Sequence, residues 1–138
     1  MHSRHNLAID VGEGGDAAEA VRLYEDLVAD RTRVLGTDHA DTLRSRHNLA
    51  LNVGEAGDRA EAVRLYQDLV ADRTRVLGTD HADTLRSRHN LALNVGEAGD
   101  RAEAVRLYQD LVADRTRVLG ADHADTLHSR RGLRFYDR

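Results

Sequence analysis

The sequence predicts an all-α fold, a solenoid of antiparallel helix pairs with about seven helices. Three observations predict it. The stretch Leu43–Thr84 recurs as Leu85–Thr126 with one change, Thr79 to Ala121, and residues 1–42 match it with seven changes. Self-similarity at a fixed period marks stacked supersecondary units. Within each unit the apolar residues fall at i, i+3, i+4 spacing, the signature of helices with one buried face. Short glycine-marked turns separate the two helical stretches of a unit, and turns that short make neighbouring helices antiparallel.

The units run 1–42, 43–84 and 85–126, and residues 127–138 complete a C-terminal capping helix. In the middle unit, Gly36 is placed to close the preceding helix in the left-handed region. Asp38 fits an N-cap, with Asp41 as the acidic half of a capping box. Helix A2 then runs over 39–55, with Leu43, Leu49, Ala50, Leu51 and Val53 as its apolar positions, until Gly57 stops it. Gly54 lies inside A2, where glycine costs about 1 kcal/mol against alanine, so a neighbouring helix is expected to approach closely there. Asp58 and Glu61 form a fuller capping box for helix B2 (59–77). Its stripe is Ala62, Leu65, Tyr66, Leu69, Val70, Val76 and Leu77, and Gly78 closes it. Arg73 and Arg75 fall near its C-terminus, where the helix dipole favours positive charge. The same phase gives A1 (2–14), B1 (17–35), A3 (81–97), B3 (101–119) and a terminal helix (123–136). The terminal helix begins like an A helix and then turns to charges and aromatics, as an end helix with a wet outer face requires.

Composition narrows the function classes. All 20 basic residues are arginine, the formal charge is −4 and the pI is near 6.0, which does not suggest a nucleic-acid partner. There is no cysteine, hence no disulfide framework and no thiol chemistry. A cytoplasmic setting is expected. No apolar run approaches the roughly 20 residues that span a membrane. Met1 stands where the repeat has Leu43, so the chain reads as a segment of a longer array. With no lysine there is no phosphate-binding G-x-x-x-x-G-K-[ST] loop, and there is no G-x-S-x-G elbow. Gly12-Glu13-Gly14-Gly15 is glycine-rich but reads as the A1–B1 turn. No enzyme, cofactor or catalytic residue is expected.

At Leu49-Ala50, Val53, Gly57, Ala62 and Tyr66 the chain resembles the tetratricopeptide repeat. The 42-residue period and the Leu-Gly-x-Asp-His-x-Asp-Thr-Leu linker look like the kinesin-light-chain type of that repeat. It departs at Arg46, where the repeat prefers a large aromatic, at Leu69, where it prefers Ala, and at Thr74, where it prefers Pro. Ala40, Ala82 and Ala124 replace the linker proline. The resemblance implies a right-handed stack that binds a protein or peptide in a concave groove lined by A helices. It also implies the groove residues: Arg44, His47, Leu51 and Glu55, then Arg86, His89, Leu93 and Glu97. His2, His5, Ile9 and Glu13 precede them, and the terminal helix adds His128, Arg131 and Phe135.

Arginine forks grip carboxylates bidentately, so an acidic peptide with apolar residues suits such a groove. Against this stands a structural role, in which His47 only bridges adjacent A helices. The histidines are not expected to hold a metal. A ligand nitrogen sits about 2.0–2.1 Å from zinc, whereas equivalent side chains on stacked helices start about 8–10 Å apart. His39, His81 and His123 open A helices and are expected to pack or cap there. The expected function is a non-enzymatic interaction scaffold. The alternatives are a homo-oligomer assembling through repeat ends or swapped helix pairs, and a spacer or sensor arm of a larger NTP-driven signalling protein.

Overall fold

The computed structural model describes residues 16–138, so A1, the Gly12–Gly15 turn and His2, His5, Ile9 and Glu13 lie outside the described residues. Six helices follow: α1 (Ala17–Leu35), α2 (Ala40–Glu55), α3 (Arg59–Leu77), α4 (Ala82–Glu97), α5 (Arg101–Leu119) and α6 (Ala124–Tyr136). No strand occurs among the described residues. The helices fall into two compact units, one ending at Asp72 and one running from Arg73 to Arg138.

The turns form much as their chemistry dictates. Helices α2 and α4 end in a Schellman motif: Asp58 N–H donates to Val53 O at 3.1 Å and Gly57 N–H to Gly54 O at 3.0 Å, and Asp100 and Gly99 repeat the pattern. Gly57 has φ +101°, a region that favours glycine. Asp58 Oδ1 then accepts from Glu61 N–H at 3.2 Å and caps α3. Two details differ from expectation. The cap of α2 is His39 and not Asp38, its Nδ1 accepting from Asp41 N–H at 3.0 Å, and His81 and His123 do the same. The ring reaches the second helical N–H from a backbone already extended at ψ 142°. Gly36 has positive φ but ψ of 163°, so it is extended and not left-handed helical, a combination essentially confined to glycine.

In the first unit, Ala20, Tyr24 and Leu27 of α1 pack with Leu49 and Val53 of α2 and Ala62 of α3. The expected stripe is buried at Ala62, Tyr66 and Leu69, while Val76 turns outward and is 38% exposed. Arg46, in place of an aromatic, joins α2 to α3 by pairing with Asp72 at 2.7 Å, and Arg88 joins α4 to α5 through Asp114 at the same distance.

Arg73 is not a solvated charge on the helix dipole but a buried connector. Its Nη1 donates to Ser87 Oγ at 2.7 Å and to Asp83 O at 3.3 Å. Arg31 holds Ser45 and Asp41 O in the same way, and Arg115 holds Ser129 and Asp125 O. Every B helix thus grips the first turns of the next A helix through one guanidinium. Arg73 is four residues past Leu69, in register with the apolar stripe, which is why it points inward. Burial pushes the Arg115 guanidinium below its ordinary value, since removing a charge from water disfavours it.

The terminal helix closes the second unit with aromatics turned inward. Tyr136, which stands where the repeat has Asn94, lies over Gly96, where a Cβ would come within 2.4 Å of its ring. Gly132 gives the same room to Tyr108, and the two tyrosine rings are nearly parallel at 6.0 Å. Close approach therefore accounts for the in-helix glycine at position 96.

Candidate interaction face

The residues assigned to the groove separate into an exposed set and a buried one. On α2, Arg44, Leu51 and Glu55 are exposed, and Arg44 pairs with Asp41 at 3.3 Å. His47 is only 6% exposed and meets Tyr66 edge-on at 5.6 Å. On α4, Arg86 and Glu97 are exposed and Leu93 is half-buried, with Arg86 near Asp83 at 3.6 Å. His89 is buried, its Nδ1 lying 3.1 Å from Ser129 Oγ on the next A-type helix. This is the bridging role raised as the alternative for His47.

Helices α4 and α6 share one face of the second unit. His128 stacks on His89 at 4.2 Å and fixes the two helices side by side. His128 and Arg131 are exposed, and Phe135 is 50% exposed with the Arg138 guanidinium 4.6 Å over its ring. At the end of this face, Glu97, Arg101, Phe135, Tyr136 and Arg138 border a cavity of about 370 Å³. Arg101 is held there by a bond to Tyr136 O at 3.1 Å. In the first unit a cavity of about 380 Å³ is lined by Val21, Glu25, Val53, Asp58 and Glu61.

The arrangement suits contact with another chain more than chemistry. The surface carboxylates are mostly engaged in neighbouring ion pairs, as Glu61 is with Arg64 and Glu103 with Arg106, which holds both carboxyls below their usual range. Among the described residues no group of three or more His, Asp or Glu is gathered for a metal. No helix among them is long and apolar enough to cross a membrane. The sequence reading missed the buried Arg–Ser connectors. Their signal was present as an Arg and a Ser fourteen residues apart, at 31/45, 73/87 and 115/129, each in register with an apolar stripe.

Comparison with known proteins follows the same lines. No curated protein matches the chain. A crystal structure from Podosopora anserina, of a protein described as a kinesin light chain with nearly identical TPR-like repeats, is 33% identical with a TM-score of 0.87. A crystal structure of a variant of that same protein gives 33% and 0.88. In both cases the match covers 98% of this chain and 64% of the other. BtubC (BKLC) from P. vanneervenii shares the fold at 17% identity and a TM-score of 0.84, over 94% of this chain and 52% of its own. The chain thus spans less than two thirds of the length of these relatives. The tetratricopeptide repeat model matches residues 1–74 and 55–116. The chain belongs to the tetratricopeptide repeat family.

Proposed function

We propose that the chain is a non-enzymatic scaffold that binds a carboxylate-bearing protein or peptide segment on its A-helix face. The observation that carries this reading is the exposed set on α4 and α6: Arg86, His128 and Arg131 beside Leu93 and Phe135. Exposed arginines offer bidentate partners for carboxylates, and the half-exposed phenylalanine on the same helix as Arg131 offers an apolar anchor. The test is fluorescence anisotropy with peptides that alternate acidic and aromatic residues. Binding should weaken at least tenfold in Arg86→Glu with Arg131→Glu, and it should fall with salt. Unchanged affinity in that double variant refutes the reading.

Self-assembly is the second reading. It is favoured by the threefold recurrence of the Arg–Ser connector, which makes helix pairs interchangeable between molecules. Light scattering over a hundredfold concentration range separates the two. A rising mass supports assembly, and a constant monomer mass leaves the A-helix face as the site. The sensor-arm role rests on a phosphate-loop domain elsewhere in a longer chain, and its absence there would sink that role.

A further inference from the structure

The terminal helix departs from the other A helices where it meets α4. Position 128 is histidine, where the two preceding units carry Arg44 and Arg86. Its ring stacks on His89 at 4.2 Å with 21° between the planes. From α5, Tyr108 meets His89 edge-on at 5.3 Å, and Arg115 donates to Ser129 Oγ at 2.7 Å. That same oxygen lies 3.1 Å from His89 Nδ1. Ser129 Oγ thus ties the α5 guanidinium and the α4 imidazole to one buried point on α6. The groups acting on His89 electrostatically are His128 from α6 and Arg115 from α5. A proton on His89 would place a buried charge facing both of them.

We propose that α6 is acid-released, held on the α4–α5 face at neutral pH and freed as His89, stacked under His128, takes up a proton. Burial, His128 and Arg115 push the His89 imidazole from its ordinary 6.5 down to about 3. Between those values the docked state binds fewer protons than the released one. Docking therefore weakens as pH falls below 6.5, and the effect is complete near 3. From pH 7 to 5 this raises the released-to-docked ratio roughly twentyfold. Of the other contacts that hold α6, Tyr136 over Gly96, Arg101 to Tyr136 O, Arg115 to Asp125 O and Thr126 to Arg115 O use phenol, guanidinium, hydroxyl and carbonyl groups that do not titrate in that window, and the His123 cap lies within α6 and recurs at His39 and His81.

Hydrogen exchange on the full chain at pH 7 and 5, corrected for intrinsic rates, tests this. The α6 amides should lose protection roughly ten- to thirtyfold more than those of α5, and His89→Gln should abolish the difference. Where that variant does not fold, the ¹⁵N shifts of His89 in the native chain decide. The imidazole should be neutral at pH 7 and should titrate in step with α6 release. Equal loss in α5 and α6, flat α6 protection, the same loss in His89→Gln, or a ring still neutral while α6 opens would each overturn the proposal.

Discussion

Replacing Ser87 by alanine deletes one hydroxyl from a fully buried site and tests whether the Arg–Ser connector stabilises the fold. Arg73 Nη1 donates to that hydroxyl at 2.7 Å and to Asp83 O at a longer 3.3 Å, so the shorter of the two bonds is lost. A hydrogen bond to a charged group contributes about 1.5–3 kcal/mol. Alanine recovers about 0.5 kcal/mol of helix propensity over serine. The net expectation is a loss of about 1–2.5 kcal/mol, or about 3–8 °C in melting temperature for a chain of this size. Urea unfolding followed by helical circular dichroism measures it. In an Arg73→Met background the serine substitution should become nearly neutral, because the donor is gone. Ser45→Ala should match Ser87→Ala, since Arg31 approaches Ser45 at the same 2.7 Å. A neutral Ser87→Ala, or an equal cost with and without Arg73, would refute the connector.

Four further expectations concern single sites. Gly120 sits at φ 96° and ψ 157°, so Gly120→Ala should destabilise by about 1–3 kcal/mol, and an unchanged urea midpoint would contradict the strain. Ala104 is fully buried, so Ala104→Leu should lose about 1–3 kcal/mol by overpacking, and a gain in stability would show that the site has room. Gly96→Ala should destabilise while Tyr136 is present, because its Cβ would meet that ring at 2.4 Å. In a Tyr136→Ala background the same change should gain about 1 kcal/mol, and no change of sign would mean that the ring does not seat there. Asp80, held well below the carboxylate range by hydrogen bonds from Arg117, lends stability above its unfolded value that is lost as pH falls through its lowered one. Because the pair is exposed, Asp80→Asn should act weakly and lose its effect in high salt, and a salt-independent effect would argue for another role.

The parts of the fold that depend on neighbours in sequence were legible. Gly57, Asp58 and Glu61 announced a turn and a cap through local chemistry, and Tyr66 and Leu69 announced the buried stripe. His39 was legible as a helix opener that packs or caps, and it takes the cap that Asp38 was also expected to supply. What depends on neighbours in space was harder to read. Arg73 reads as a surface charge until Ser87 and a carbonyl are set beside it, and His89 reads as a groove residue until Tyr108 and Ser129 close around it. Tyr136 looked outward by composition. Its inward turn follows from Gly96, whose missing side chain matters only once a second helix lies across it. In the candidate site, Arg86 and Glu97 are exposed and Leu93 is half-buried, while His47 and His89 went to the core.

The Gly96–Tyr136 seat also bears on how such a gene can change length. Every residue that receives α6 has a counterpart one period earlier: Gly54 for Gly96, Tyr66 for Tyr108 and Arg73 for Arg115. An in-frame loss of residues 85–126 would present the terminal helix with the same notch, ring and guanidinium it now uses. Recombination between near-identical copies should therefore shorten or lengthen the array in whole units while offering α6 the same seat, and the number of repeats becomes the readily varied trait.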